Sequence, residues 1–560
     1  MKKVLKRKTV IYRVSIVVSI ISIMILSLFC YGCGTQENNE NKKVAQILTD
    51  WTLNDSIASN PTGFDPIQIV DATTLNILSN CYEGLVIYDL QGNIVPGLAG
   101  QWNVSENRLE WTFYLKPNVK FHPLDDINGF KHSGIVSAVD VVYSLKRAVT
   151  SPISFNSWWL GDIVERGKDG DPAIWAVDKL TVKIMLKKPY ALLNRLISVA
   201  GWIYPENIIE ALGEDGLKGR VIGTGPYQLS SFMPDDKIKL SRWDRYRMNM
   251  TATAPKDIFI SIISDPVASL EFFRAGNLDV VELDLTTLGA GKILAEKQKA
   301  QLKWVAVNHL EYLSFNIDKP PFDDVDLRAA LNMSIDRNKL AGLFEEMVTP
   351  AFGFTPPTSP GFMGVDAIIE KGFHYNPEDA KLKFSQFAAR QKNTSDKITI
   401  KLVYDGETMA EFAAQFVKDA VEKILPVSVE LQKITWPELL QKSFAGELAF
   451  HRLWWLIMSP AEDVYLQFYM PGKTPPVGLN MARYNNKDFS NNYMDVFGKA
   501  SQDDRRKGMM KLEAQLIKDA VAIPLWHKKA VYVMQNGVNL PIGSTLRHFY
   551  AQSSKTGNSK

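Results

Sequence analysis

Residues 398–431 read ITIKLVYDGETMAEFAAQFVKDAVEKILPVSVEL, and this stretch decides the fold class. Apolar and polar residues alternate at its beginning and again over residues 427–431, which is the period-two pattern of half-buried strands. Between them, apolar residues recur every three or four positions from Met409 to Ile424, as on the buried face of an amphipathic helix. A strand–helix–strand unit builds wrapped sheets, so the stretch predicts an α/β fold.

The same two patterns recur along the rest of the chain. Residues 109–115 alternate as a strand, and residues 137–147 have helical spacing, with Ser137 placed to cap the helix. A late helix is predicted around residues 509–519, followed by the run AIPLW at residues 522–526. No fixed-period repeat or low-complexity tract is present in the sequence.

The length of 560 residues is too great for one core and suggests about three or four domains or lobes. With 46% hydrophobic and 22% charged residues, the composition is globular, which excludes a disordered chain, a collagen and a coiled coil. The net charge of +3 comes from the amino-terminal segment, because residues 1–32 contain six basic residues and no acid. The remaining chain is net acidic, which argues against nucleic acid as a partner.

The amino terminus has the pattern of a secretory signal. A basic start leads into an uncharged apolar run over residues 14–29, which is short for a membrane span of about 20 residues. Gly32 precedes Cys33 and a polar segment follows, an arrangement that resembles the signal of a bacterial lipoprotein. We expect residues 1–32 to be a signal peptide, Cys33 to be lipidated and residues 33–44 to form a flexible tether. The alternative is an uncleaved anchor. Either one would hold the protein to a membrane, in the periplasm or at the cell surface.

Motifs for catalysis and for metal binding are missing from the sequence. The seven histidines lack metal-ligand spacing, and Cys81, the one cysteine after Cys33, lies in an apolar stretch typical of a core. The run GTGPY at residues 223–227 lacks the third glycine of a dinucleotide loop. Two prolines after GKT at residues 472–474 exclude a phosphate-binding helix. We therefore predict no catalytic residue, no metal site and no cofactor.

A series of short motifs, each weak alone, occurs in a specific order along the chain. They are NPTGFDP at residues 60–66, YEGLV at 82–86, PGLA at 96–99, WTFYLK at 111–116, VKFH at 119–122, AVDVVYSLKR at 138–147, GTGPY at 223–227, LSFN at 313–316, LRAALNMSIDR at 327–337, YNPEDA at 375–380 and AIPL at 522–525. In this order the chain resembles the extracellular solute-binding proteins of family 5, which serve ABC transporters of peptides and nickel. Residues 123–136 are longer than that family usually has.

The resemblance implies an α/β, two-lobed periplasmic-binding-protein fold of class II, cluster C, with an extra domain in the amino-terminal lobe. It places that lobe at residues 45–280, with domain II inserted at about 70–175, and the carboxy-terminal lobe at 281–495. Residues 496–550 would return to domain I, and residues 551–560 would form a disordered tail. Connections near residues 270–290 and 485–510 would form a hinge, and the lobes would close over the ligand.

The same resemblance draws ligand-binding residues from both lobes. The floor of the cleft would be lined by Asn60, Pro61, Thr62, Gly63, Gly223 and Thr224. Aromatic walls would come from Trp454 and Trp455 in the main ligand loop and from Trp526, although most tryptophans in a chain of this size pack in the core.

One position departs from the family pattern. Peptide-binding members commonly have an Asp three residues after the Trp of the ligand loop, where it pairs with the α-ammonium of the peptide. Met458 stands there in this chain, and Ile457 beside it offers no carboxylate. Glu462 or Asp463 would substitute from further along, or would instead cap a helix after Pro460. The hypothesis is a peptide held chiefly by its backbone, or an uncharged or anionic solute.

The resemblance implies a monomeric receptor that delivers oligopeptides to the permease subunits of an ABC importer and is not an enzyme. A receptor of the same fold for an oligosaccharide, a metal chelate or haem is an alternative. Two alternatives belong to other classes: an extracytoplasmic hydrolase, which needs a catalytic set that the sequence lacks, and an adhesin or chaperone with exposed apolar surface.

Overall fold

The structure is a computed structural model that describes residues 51–541 and 552–553, except residues 70, 90–91, 124–129, 155–156, 214–215, 218, 248–253, 299, 360, 371–373, 392–396 and 457–463. The predicted signal peptide and tether, Cys33, Met458, Glu462 and Asp463 lie outside the described residues.

Twenty strands occur in the described part of the chain, and their bounds follow in chain order. They are β1 Thr52–Ile57, β2 Val86–Tyr88, β3 Ile94–Pro96, β4 Ala99–Val104, β5 Glu110–Leu115, β6 Ile174–Asp178, β7 Thr181–Met185, β8 Tyr227–Met233, β9 Lys237–Arg242, β10 Asp257–Ile262, β11 Val280–Leu283, β12 Gln301–Ala306, β13 His309–Phe315, β14 Val348–Pro350, β15 Ile398–Asp405, β16 Val427–Ile434, β17 Phe450–Leu456, β18 Ala522–Met534, β19 Val538–Asn539 and β20 Gln552–Ser553.

Helices alternate with these strands. They are α1 Ala72–Leu78, α2 Ala138–Thr150, α3 Ser157–Gly161, α4 Leu193–Leu196, α5 Ile208–Leu212, α6 Pro266–Arg274, α7 Leu288–Gln298, α8 Val325–Met333, α9 Arg337–Gly342, α10 Val365–Ile369, α11 Pro377–Arg390, α12 Thr408–Ile424, α13 Trp436–Phe444, α14 Val464–Gln467, α15 Lys487–Gly498 and α16 Gln502–Lys518. Within the described residues, two 3-10 turns occur, at Pro66–Gln68 and Val199–Gly201. None of the helices in the described ranges combines the length and apolar character needed to cross a membrane.

Three large sheets divide the chain between two lobes. In the amino-terminal lobe, one four-stranded sheet has the order β1-β10-β9-β8 and another has the order β4-β5-β7-β6. The carboxy-terminal lobe is built on an eight-stranded sheet with the order β11-β18-β13-β17-β15-β16, in which β12 and β14 also pair with β18. The second sheet extends to Met185, beyond the end predicted for domain II at residue 175.

The strand–helix–strand unit predicted from residues 398–431 is confirmed. Strand β15 pairs in parallel with β16, and α12 connects them. Met409, Ala413 and Val417 of α12 are buried in one cluster with Ile400 and Leu402 of β15. The helix and the sheet therefore cover each other's apolar faces, as the two periodicities of the sequence require.

The helix predicted over residues 137–147 is α2, and Ser137 is its N-cap as expected. The carboxylate of Asp140 accepts hydrogen bonds from the backbone N–H of Ser137 at 2.7 Å and from its hydroxyl at 2.8 Å. Together with the bond from the backbone N–H of Asp140 to the side chain of Ser137, they form a capping box, which satisfies backbone groups that a helix start leaves unpaired. Cys81 is fully buried, as predicted, and burial raises the pKa of its thiol.

The chain passes between the lobes at two adjacent points. The backbone N–H of Asn54 in β1 donates to a carboxylate oxygen of Asp279 at 2.9 Å, and the N–H of Asp279 donates to the carbonyl of Asn54 at 2.8 Å. The N–H of Gln535 donates to the carbonyl of Asp279 at 2.9 Å. Because Asp279 directly precedes β11 and Gln535 directly follows β18, both crossings lie side by side at β1.

The first crossing lies within the predicted residues 270–290, but the second is at residue 535 and not at 485–510. Strand β18, which we expected in the return segment 496–550, pairs with β11, β12, β13 and β14. Nearly all of its residues are buried, because it has partners on both sides. Residues 552–553 of the predicted tail form β20, which pairs with β19.

The apolar core has two parts. One cluster lies within the carboxy-terminal lobe. The other joins the amino-terminal lobe to residues of α15 and α16, and it includes Tyr190 and Leu196 on one side and Tyr493 and Phe497 on the other. The two lobes are therefore in direct apolar contact.

Candidate functional site

Three parallel strands of the eight-stranded sheet end at one edge. Strand β15 runs parallel to β16 and to β17, so their carboxyl ends at Asp405, Ile434 and Leu456 lie on the same side. In open sheets with parallel strands, the crevice outside this side is the usual place for a ligand. We call residues 405–407, 434–436 and 454–456 the carboxyl edge.

Aromatic rings stack at the carboxyl edge. The indole of Trp454 stacks on Trp436, with ring centroids 5.5 Å apart and planes 22° apart, and on His309 at 6.0 Å and 23°. Trp436 and Trp454 are half-buried. They offer a rigid planar surface that a ligand can cover at little cost in conformational entropy.

Trp455 points away from this stack, because successive residues of a strand face opposite sides of the sheet. Its Nε1 donates to the hydroxyl of Tyr312 at 2.8 Å, and its ring packs on Phe468 at 5.2 Å. Tyr312 is 3% exposed, so this bond fixes the half-buried indole to the core. The structure thus separates the two tryptophans that the sequence placed in one loop.

A buried guanidinium beneath the aromatic stack binds three carboxylates. Arg452 pairs with Glu311, with Asp405 and with Glu407. Arg452 and Glu311 are almost completely buried, whereas the side chain of Glu407 is 50% exposed. A guanidinium carries five donors in a planar fork, which lets one Arg serve several acceptors.

Carboxylates outnumber cations at this cluster. Burial raises the pKa of Glu311 to about 8, Arg452 opposes that shift, and Glu407 and Asp405 add to it. Lys528 supplies a second positive charge nearby, and its pKa is raised chiefly by Glu282. Glu407 is the carboxylate of the cluster with the most access to solvent and to a ligand.

The predicted turn at residues 60–63 is tied to two other elements of the amino-terminal lobe. Asn60 donates through its amide to the carboxylate of Asp235 at 2.6 Å and accepts from the backbone N–H of Asp235 at 2.9 Å. The hydroxyl of Thr62 donates to Asp71 at 2.7 Å. Pro61 is buried, and the space around Gly63 is open.

Gly223 and Thr224 lie inside the amino-terminal lobe. A Cβ at Gly223 would stand 2.1 Å from the carbonyl oxygen of Cys81, so the close approach of the two backbones requires glycine. Thr224 is 1% exposed and donates through its hydroxyl to Glu83 at 2.9 Å. The structure explains this motif by backbone packing.

Trp526 lies within β18 and packs in the core of the carboxy-terminal lobe. It is 2% exposed, and its ring centroid is 5.0 Å from that of Phe344. Of the predicted aromatic walls, Trp454 is therefore the one that stacks with other rings at the carboxyl edge.

Sequence reasoning missed most of the residues at and around the carboxyl edge. The missed residues are His309, Glu311, Asp405, Glu407, Trp436 and Arg452. One signal was available, since Glu311 and Arg452 are charged residues inside apolar strand runs, HLEYLSF and FHRLWWL. A charge in such a position needs a buried partner. Within the described ranges, no group of three or more His, Cys, Asp or Glu side chains is placed to hold a metal ion.

Residues 93–474 match the sequence model of the bacterial extracellular solute-binding proteins, family 5 Middle. The chain belongs to this family. The match covers most of the amino-terminal lobe and most of the carboxy-terminal lobe, including the carboxyl edge.

Curated relatives extend the likeness of this family 5 protein over almost the whole chain. The periplasmic oligopeptide-binding protein OppA of Escherichia coli is 25% identical over 496 residues, which are 85% of this chain and 87% of that protein. The heme-binding protein A of Haemophilus influenzae is 26% identical over 523 residues, covering 88% and 90%.

Solved structures confirm the two-lobed fold of the family 5 protein. The periplasmic binding protein DppA of Helicobacter pylori, in complex with the peptide STSA, has a TM-score of 0.77 at 20% identity and covers 91% of this chain and 99% of that one. The binding protein MoaA of A. tumefaciens R10, in complex with mannopinic acid, has a TM-score of 0.72 at 22% identity, with coverage of 90% and 100%.

Proposed function

We propose that this family 5 protein is an extracytoplasmic receptor that binds oligopeptides between its lobes and delivers them to the permease subunits of an ABC importer. The paired crossings at Asp279 and Gln535 carry the proposal, because two adjacent connections allow two lobes to rotate as rigid bodies over a ligand. OppA of Escherichia coli, named an oligopeptide-binding protein, supports the choice of peptides.

The carboxyl edge supplies the ligand wall of the carboxy-terminal lobe. The stack of Trp436 and Trp454 gives apolar area, and Glu407 gives a half-exposed acceptor beside it. A peptide bound largely through its backbone leaves its side chains in wet pockets, so affinity comes with little sequence preference. Asn60, Thr62 and Gly63 are the residues that we propose for the opposite wall.

A non-peptide solute is the second candidate. Two similar proteins point to it: one is named a heme-binding protein, and one holds mannopinic acid. A stacked indole pair suits a planar or cyclic solute as well as it suits a peptide.

We propose that the protein performs no covalent chemistry. The buried histidines support this, since burial holds the pKa of His451 at about 3 and those of His122 and His527 at about 4. A general base needs access to substrate and a pKa near the working pH. Turnover of a bound peptide by the purified protein would establish the hydrolase alternative.

We propose lipidation at Cys33 and a position at the membrane surface, in the periplasm or outside the cell. The basic start and the apolar run before Gly32 support this proposal. A Cys33→Ser variant should lose membrane association in cell fractionation while its soluble part still binds ligand. Light scattering of that soluble form should give the mass of a monomer.

Ligand extraction tests the function directly. Mass spectrometry of solutes released by denaturing the purified protein should find a mixture of short peptides. Calorimetry with the same peptides should then confirm that the protein binds them. Recovery of a single sugar, chelate or haem species would favour the second candidate. A protein that binds no solute and keeps the same dimensions in small-angle scattering would contradict both.

A further inference from the structure

We infer that a cavity between α15 and α16 binds a small organic anion, at a site separate from the carboxyl edge. The cavity has a volume of about 360 Å³. This is the lower end of the range for ligand pockets and is enough for one small molecule. Three lysines and two aspartates line the cavity, so the net charge of its lining is +1 and favours an anion.

The two helices approach each other closely at the floor of the cavity. Gly508 of α16 lies against Val496 of α15, where an added Cβ would stand 2.4 Å from a methyl carbon of the valine. Glycine is unfavourable inside a helix, and this close approach accounts for its presence here. Val496 and Leu512 are almost completely buried, so the floor is apolar. A ligand with a short hydrocarbon part would cover this floor and exclude water from it.

Two lysines on the rim of the cavity have no counter-ion. Lys507 and Lys511 are four residues apart on α16, so their side chains lie on the same face of the helix. Both are exposed, and neither ammonium group forms an ion pair or a hydrogen bond within the part of the chain that the structure describes. Like charges at this spacing repel each other, and an anion between them would remove the repulsion.

The other charges of the lining are already compensated. Lys499 forms an ion pair with Asp495, with Nζ 3.3 Å from the carboxylate oxygen. Asp504 lies in the first turn of α16, where the positive end of the helix dipole stabilises a carboxylate. The charge available to a ligand is therefore that of Lys507 and Lys511.

Two guanidinium groups add positive charge where α15 ends. Nη1 of Arg505 donates to the carbonyls of Lys499 at 3.0 Å and Ala500 at 2.8 Å, and Arg108 of the amino-terminal lobe donates to the carbonyl of Gly498. The two groups lie close together, since burial and the charge of Arg505 lower the pKa of Arg108. The positive potential therefore extends beyond the lining and attracts an anion toward the cavity.

The inference does not depend on the proposed transport function. The lining of the cavity contains no residue of the carboxyl edge or of the turn at residues 60–63. Other faces of the two helices carry Tyr493 and Leu516 into the apolar contact with the amino-terminal lobe. An anion in the cavity and a solute between the lobes can therefore be bound at the same time.

Butyl phosphate is the first probe, because its phosphate matches the lysine pair and its chain matches the apolar floor. At constant ionic strength, it should raise the melting temperature of the mature chain, and its affinity should be about tenfold higher than that of inorganic phosphate. An ammonium group is a point charge that accepts phosphate and carboxylate alike, so butyrate is the second probe. The ratio of the two affinities identifies the acid group of the ligand.

Two variants locate the binding. Lys507→Gln combined with Lys511→Gln should reduce the affinity for butyl phosphate about tenfold, because it removes both ammonium groups. Asn492→Trp, at an exposed position of the lining, fills the cavity without a change of charge and should abolish the preference for butyl phosphate over inorganic phosphate. Lys401→Gln combined with Lys518→Gln removes two exposed lysines outside the cavity and should behave as the wild type. Circular dichroism of each variant verifies folding.

Three results would overturn the inference. One is an equal affinity for butyl phosphate in the wild type and in the variant without Lys507 and Lys511. Another is an equal affinity of the wild type for butyl phosphate and inorganic phosphate, because the apolar floor would then contribute nothing. The third is displacement of butyl phosphate by a peptide that binds between the lobes, which would place the anion there.

Discussion

The hydroxyl groups of Tyr190 and Tyr493 lie 3.3 Å apart, although 303 residues separate them in the chain. Tyr190 belongs to the amino-terminal lobe, between β7 and β8, and Tyr493 lies on α15 between two strands of the eight-stranded sheet. Arg195 donates to both hydroxyls and to the side chain of Gln467, and its guanidinium lies 4.0 Å from the centre of the Trp159 ring. One side chain thus bridges the two lobes where they meet.

Replacing Arg195 with Met should weaken ligand binding without removing any contact to the carboxyl edge. Because the bridge joins the two lobes, we expect its loss to shift the equilibrium toward a form with the lobes apart by about 2 kcal/mol, or about thirtyfold in affinity. Calorimetry and the radius of gyration from small-angle scattering measure the two effects. Arg274→Met, at an exposed helix position, is the control; an unchanged Kd in Arg195→Met would contradict the bridge.

Glu407 should distinguish peptides by their amino termini. We expect Glu407→Gln to weaken a peptide with a free α-ammonium about three- to fivefold and to leave the N-acetylated peptide unchanged, since a half-exposed carboxylate contributes about 1 kcal/mol or less. Calorimetry of both peptides on both proteins forms a double-mutant cycle. Glu411→Gln, an exposed carboxylate in the first turn of α12, the helix that Glu407 precedes, is the matched control. Equal losses for the two peptides would place the α-ammonium elsewhere.

Glu513 should make the stability of the protein fall as the pH rises. It is fully buried on α16, and burial raises its pKa from 4.5 to about 7, although the backbone N–H groups of Thr355 and Phe354 oppose the shift. Because the folded form holds the proton more tightly, the free energy of unfolding should fall by about 3 kcal/mol between pH 4.5 and pH 7 on this account.

The variant Glu513→Gln removes the titrating group, so the fall with pH should become correspondingly smaller. Urea unfolding at a series of pH values measures it, with the exposed Glu438→Gln as the control. Identical pH profiles for the wild type and Glu513→Gln would show that the carboxyl titrates normally.

Gly223→Ala should destabilise the amino-terminal lobe strongly. The added methyl would stand 2.1 Å from the carbonyl of Cys81, which forces apart two backbones and costs about 2–3 kcal/mol. Gly219→Ala, where nothing lies within 4 Å of the added atom, should change stability little. The midpoints of urea unfolding compare the two, and a Gly223→Ala protein as stable as the wild type would exclude the close approach.

Local patterns in the sequence predicted the elements that depend on local interactions. The period of apolar residues predicted β15, α12 and β16, and the cap at Ser137 predicted the start of α2. Strand β18 was harder to place, because Pro524 is unusual in an interior strand and its partners come from four distant segments.

The sequence by itself determined the α/β class, the order of the motifs that mark the family, and the buried state of Cys81. Each of these follows from the hydrophobic periodicity of neighbouring residues or from the order of short motifs, both of which can be read along the chain. Only the tertiary structure decided which charges meet. The pairing of Arg452 with Glu311 and the bridge from Arg195 to Tyr493 depend on sheet register and on contact between lobes. Such contacts join residues far apart in the chain, and a local sequence pattern does not predict which of these distant residues meet in space.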